Sequence, residues 1–281
     1  VDLDRPQASQ LAANLVDTFV RAGERCLLID TTETASGSGA GLCELLRGEA
    51  TLAAVVRTQD GRAVLGPGTG DLDDLIATGR PIVAVDRGAG YDIDGVVMEN
   101  RAAGQAATEN LVQAGVTRSA GVTAPGPTET APERAERWRA ARAVLAARLP
   151  DFDPEPYLRF STFRVDGGRA KMEELLSMPE PPDAVVAANN LLGVGAIQVL
   201  TERGLTPPKF GVAVVGSLPF TTLSPSAVTV VRLPARHMGV TAAKMLLERI
   251  DGDQQPARTV VLRSELQPAR GCDAPAVPAG G

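Results

Sequence analysis

Apolar residues along the chain fall into short solid runs, separated by longer stretches with one apolar and one polar face. The solid runs predict strands over 26–30, 63–66, 81–86, 95–98, 119–123, 184–188, 212–216 and 228–232. They are apolar on consecutive rather than alternate residues, which suits sheets covered by helices on both faces. The stretches between them predict helices over 9–22, 41–57, 71–78, 102–114, 131–149, 167–177, 191–203 and 236–250. Strand–helix alternation of this length implies parallel strands joined by right-handed crossovers.

A single sheet of roughly ten strands would be wide for an open sheet, and two smaller sheets are the more economical arrangement. The expected fold is therefore α/β, with two Rossmann-like lobes, each a parallel sheet flanked by helices. The break is expected near Asn100, giving a first lobe of 1–98 plus 232–253 and a second of 99–231 plus 254–271. Several crossings between lobes would form a hinged clamshell with its ligand site in the cleft. The Ala/Pro/Gly-rich end, 272–281, is expected to be disordered.

Composition narrows the function. An apolar share of 44% describes a soluble globular protein, and an aromatic share of 3% means a core of Ala, Val and Leu. The net charge is −6, and only Lys171, Lys209 and Lys244 are lysines. Nucleic-acid binding by this chain alone is thus unsupported, because phosphate contacts need clustered Lys and Arg. No apolar run approaches the roughly 18 residues that span a bilayer. The acidic start, Val1 to Asp4, does not read as a signal peptide, so a cytoplasmic protein without membrane contact is expected. The chain does not begin with Met, which is consistent with upstream residues having been removed. Cys26, Cys43 and Cys272 lack metal-site spacing and read as reduced thiols.

Catalytic motifs fare poorly. Residues 11–51 have the layout found downstream of a phosphate loop in some ATPases, but no Gly-x-x-x-x-Gly-Lys-Ser/Thr precedes them. Gly37 to Gly41 is a loop rather than a dinucleotide fingerprint, since Leu42 stands where the third glycine would be. His237 is the only histidine, and no Gly-x-Ser-x-Gly elbow accompanies it. Neither an enzyme, a cofactor nor a metal is expected.

The run Asp183 to Ala196 is a buried strand that opens into a helix through Asn189 and Asn190. It is followed by the strands Val212 to Gly216 and Val228 to Arg232, and then by Leu233 to Gly239. Together with Pro81 to Arg87, Glu99 to Gly104, Arg134 to Arg139, Val165 to Gly168 and Leu223 to Ser226, this order resembles the effector-binding half of the LacI/GalR (lac-repressor) family. Upstream of Arg80 the likeness is one of layout and length only. The resemblance implies a type I periplasmic-binding-protein fold, with lobes joined by a multi-strand hinge. It also implies a homodimer that senses a small-molecule effector (a sugar, sugar derivative or other small polar metabolite) and regulates transcription. In that family a helix-turn-helix headpiece contacts operator DNA, and these residues are expected to hold neither headpiece nor hinge helix. A solute-binding protein of an ABC transporter with the same fold is the alternative.

The implied effector-binding residues are Asp86, Thr130, Arg134, Phe163, Asn189 and Leu218. Asp86 ends its strand and matches an acid that accepts from ligand hydroxyls, although a cap or turn role is open to it. Arg134 matches a characteristic effector contact. It also lies four residues before Trp138 on the stripe continued by Ala141 and Leu145, where an inward guanidinium needs an anionic or hydroxyl-rich partner. An internal ion pair would serve it as well. Arg137, Arg139 and Arg142 are expected to form a solvated face. Asn189 matches an effector-binding amide and equally suits a helix N-cap. Phe163 aligns with a stacking aromatic or is core, and Thr130 with a small hydroxyl residue. At position 190 the family usually has Asp, so Asn190 removes a charge. Leu218 replaces a sugar-gripping Asp and Leu233 a Gln, which favours a less polar or anionic effector over a hexose.

Overall fold

The computed structural model describes residues 6–23, 54–56, 58–59, 62–63, 76, 81–85, 92–123, 132–161, 164–207, 209–216, 218 and 227–269. In chain order the first elements are α1 (Pro6–Arg21), β1 (Ala54–Val56), β2 (Thr58–Gln59), β3 (Arg62–Ala63), β4 (Ile82–Val85) and β5 (Asp94–Met98). Next come α2 (Asn100–Gln113), β6 (Ser119–Thr123), α3 (Pro132–Arg148), a 3-10 turn (Glu155–Tyr157), β7 (Leu158–Phe160) and α4 (Val165–Leu176). The last are β8 (Ala184–Ala187), α5 (Asn190–Glu202), β9 (Gly211–Val215), β10 (Thr229–Arg232), α6 (Ala235–Ile250), β11 (Thr259–Leu262) and β12 (Glu265–Gln267).

The chain divides into two compact units. One is Val1–Met98 with Glu129–Ala131 and Pro234–Arg263, and the other is Glu99–Thr128 with Pro132–Leu233 and Ser264–Gly281. The first holds a parallel sheet in the order β1-β4-β5-β11. Leu15 and Phe19 of α1 and Met238, Ala242 and Leu246 of α6 form its core with Val83, Val85 and Val96. β4 is buried on every residue, as its unbroken apolar run requires when helices cover a sheet. Asp94, only 3% exposed, ties this unit together. It takes Arg249 Nε at 2.7 Å, Arg249 Nη2 at 3.1 Å and the Arg258 main-chain N–H at 2.9 Å.

The second unit carries the sheet β12-β10-β9-β8-β6-β7, parallel except where β12 runs against β10. Val122, Val185, Leu192, Val199, Leu200, Val212 and Val214 dominate its core. Glycines let its helices approach closely. A Cβ on Gly104 of α2 would collide with the Arg137 carbonyl of α3, and one on Gly195 of α5 with the Val165 carbonyl of α4.

Three sequence expectations need correction. The helix predicted over 41–57 cannot extend to its end, because Ala54, Val55 and Val56 pair with Ile82, Val83 and Ala84; two adjacent valines favour extended backbone. The strand expected over 63–66 meets the described residues at Ala63 alone, which pairs with Thr58 in a short hairpin beside the pair Gln59–Arg62; 64–66 lie outside the described residues. β7, at the sheet edge, was not anticipated, since Leu158-Arg159-Phe160 lacks a solid apolar run. Finally, 254–271 does not pass as one piece to the second unit. Thr259–Leu262 pairs parallel with β5 in the first sheet, and only from Ser264 does the chain join the second. The expectations for 1–4, 26–30, the tail 272–281 and all three cysteines lie outside the described residues, as does all of 71–78 except Ile76.

Candidate functional site

In the second unit the two ends of the sheet differ chemically. At the amino end the carboxylate of Asp183 is already engaged. Asp183 accepts from the Thr117 N–H, the Thr117 hydroxyl and the Arg118 N–H at 2.8, 2.6 and 2.8 Å. A cavity of about 240 Å³ opens there beside Asn110, Lys209 and Phe210, but the Thr229 hydroxyl donates to Asn110 Oδ1 within it.

The carboxyl end of β8 is where ligands bind in open α/β sheets, because loops and helix N-termini converge there. Here β8 passes through Ala188 and Asn189 into α5. Asn189 takes an extended conformation, and its Oδ1 accepts the Leu192 N–H at 2.8 Å, so it caps the helix. The cap is thus part of its role; a ligand role for its remaining NH2 is compatible with it. Asn190, the first helical residue, is 4% exposed, and its Nδ2 is buried without a hydrogen-bond partner. Ser119 Oγ is the other such buried atom among the described residues, at the opposite end of the sheet.

Arg137 completes this end and corrects the solvated face expected of it. Its Nε donates to Asn100 Oδ1 at 2.6 Å and its Nη1 to the Ala188 carbonyl at 2.7 Å. Asn100, itself 7% exposed, opens α2. One guanidinium therefore links α2, α3 and the end of β8. Arg139 and Arg142 do face solvent, paired with Glu136 and Glu155. A signal for Arg137 was present in the sequence: Ala140, Ala141 and Val144, all buried, lie three, four and seven residues after it on one helix face.

Arg134 lies in the first turn of α3, but its side chain is outside the described residues, as are Asp86, Thr130 and Phe163. Leu218 is half-buried and packs against the core of the second unit. Trp138 covers the sheet at Gly121, whose missing side chain leaves room for the indole. Among the described residues no group of three metal-ligating side chains occurs.

The profile of the periplasmic binding protein-like domain family matches residues 108–269, and the chain belongs to that family. It is 33% identical over 190 residues to the HTH-type transcriptional regulator CelR of Thermobifida fusca, covering 67% of this chain and 53% of that protein. It is 30% identical over 174 residues to the ribose operon repressor of Escherichia coli K12, covering 60% and 51%. The chain thus spans about half the length of these curated relatives. Among solved structures, the CelR–cellobiose complex superimposes with a TM-score of 0.79 at 24% identity, covering 94% of this chain and 78% of that one. A LacI family regulator from Enterococcus faecalis V583 with bound ribose gives 0.77 at 17% identity, covering 95% and 94%. The fold expected from the sequence, parallel sheets flanked by helices in the manner of LacI-type effector domains, is borne out.

Proposed function

We propose that this chain is the small-molecule-sensing and dimerising part of a LacI-type transcriptional regulator. The observation that carries the reading is the polar cluster Asn100–Arg137–Ala188–Asn189. It lies at the carboxyl end of the sheet in a domain of the periplasmic-binding-protein-like family. The curated relatives are regulators, which supports a regulator over a transport component and over an enzyme. DNA contact is assigned to a helix-turn-helix part of the kind that the name of CelR declares, consistent with this chain's net charge of −6.

Asp86, Thr130, Arg134, Phe163, Asn189 and Leu218 are proposed to face the effector, with Arg134 as its charge partner. The effector acts by binding one conformation of the domain more tightly than another, and the dimer transmits that preference to the DNA-binding part. The ligands in the related structures, cellobiose and ribose, set the scale of a small polar metabolite. A thermal-shift panel of sugars, sugar phosphates, nucleobases and small acids tests the reading. A concentration-dependent rise for one class is expected, and a flat response to all classes contradicts it. Gel filtration should show a dimer; a concentration-independent monomer would favour the solute-binding alternative.

A further inference from the structure

Asp183 and Lys209 carry opposite charges and line one cavity, the opening of about 240 Å³ at the amino end of the second sheet, yet they form no ion pair with each other. Every residue that lines it belongs to the second unit. Six residues of chain, roughly 20 Å where extended, separate Asp183 from the Asn189 cap at the other end of β8. A ligand here would therefore occupy a different place from the effector proposed above.

Three polar side chains in the cavity keep unused bonding capacity. The Thr117 N–H and hydroxyl both reach Asp183 Oδ2, whereas Asp183 Oδ1 takes the Arg118 N–H alone. A carboxylate oxygen accepts two hydrogen bonds, so Oδ1 has room for one more donor. The amide of Asn110 is oriented by the Thr229 hydroxyl, which donates to its Oδ1 at 2.5 Å and accepts the Ala269 N–H at 3.3 Å. That leaves the Asn110 NH2 without an acceptor among the described residues. Lys209 is exposed, and its ammonium has no partner among the described residues. A turn fixes its main chain, where the N–H donates to the Thr206 carbonyl at 3.0 Å. Leu111, Val116 and Phe210 add apolar wall to the same cavity.

The cavity thus offers an ammonium and an amide donor to a carboxylate, and a carboxylate oxygen to an ammonium. An anion alone would meet the charge of Asp183 unpaired, and a cation alone that of Lys209. A molecule carrying both charges pairs with each, and charge-assisted hydrogen bonds are the stronger kind. We propose that this cavity is a second small-molecule site, and that it takes a zwitterion, an amino acid with a short apolar side chain. Lys209 and Asn110 hold its carboxylate, Asp183 Oδ1 accepts from its ammonium, and Leu111, Val116 and Phe210 cover its side chain.

The test is calorimetry with norleucine, with hexanoate (norleucine without its ammonium) and with pentylamine (norleucine without its carboxylate), on the unaltered protein and on Lys209→Met. Norleucine should bind roughly fivefold or more tighter than either half-charged probe. In Lys209→Met its affinity should fall to about that of pentylamine, while pentylamine binding and the melting temperature stay as they were. Unchanged pentylamine binding separates a lost carboxylate contact from a collapsed cavity. Hexanoate or pentylamine binding as tightly as norleucine overturns the zwitterion assignment. Equal norleucine affinity in Lys209→Met, or no saturable binding of any of the three probes, overturns the site. Lys209 is not among the residues proposed to face the effector, so each of these failures leaves the sensing reading standing.

Discussion

Arg137 and Ala188 are joined by a 2.7 Å hydrogen bond from Nη1 to the main-chain oxygen, which fastens α3 to the end of the strand that opens into α5. The same guanidinium holds Asn100 through Nε, so three segments meet on one side chain. Removing it in Arg137→Ala leaves a buried amide oxygen without that donor. A loss of about 1.5–3 kcal/mol is expected for hydrogen bonds of this charge-assisted kind, read from urea unfolding. Arg137→Lys offers no planar fork and should recover only part of the loss.

Asp94 and Arg249 make the first unit sensitive to acid. Burial alone would raise the Asp94 pKa. The Arg249 hydrogen bonds, the Arg258 N–H and both positive charges outweigh it and hold the carboxyl below its ordinary value. A carboxyl whose pKa is lower folded than unfolded stabilises the fold at pH above the unfolded value, about 4. That contribution is lost as pH falls through the folded value. Calorimetric melting between neutral pH and about pH 3 should therefore show an acid limb that is shallower in Asp94→Asn. Arg249→Ala, which strands the buried carboxylate, should cost about 3–5 kcal/mol at neutral pH.

Trp138 is the only tryptophan in the chain, and its ring occupies the space above Gly121 on β6. Gly121→Ala must displace the indole, because its Cβ would overlap the six-membered ring. The expected result is red-shifted tryptophan emission and a loss of about 1–3 kcal/mol, as for other overpacked cores. Unchanged emission in Gly121→Ala would mean that the ring does not rest there.

Most of the second unit was legible in the sequence because its strands are unbroken apolar runs and its helices carry clear inward stripes. β8, β9 and β10 were found within a residue or so of their observed limits. What escaped depended on partners distant in sequence. β11 and β12 are separated by Arg263 and Ser264 alone, yet enter different sheets, a choice that no local pattern in Thr259–Gln267 expresses. Arg137 reads from the sequence as solvated because charge usually marks the wet face of a helix. Its partners, Asn100 and the Ala188 carbonyl, come from other elements that helix periodicity cannot reveal. Asn189 was legible in one of its two suggested roles, since the Oδ1 contact with Leu192 N–H is the cap that its residue type announces.

Calorimetric titration decides whether this domain holds a small effector with Arg134 as charge partner. The ligand is the strongest stabiliser from the thermal-shift panel, titrated into the unaltered protein and into Arg134→Ala. Saturable binding that vanishes in Arg134→Ala, with the ligand-free melting temperature kept, is the predicted result. Equal affinity in the two proteins would contradict it.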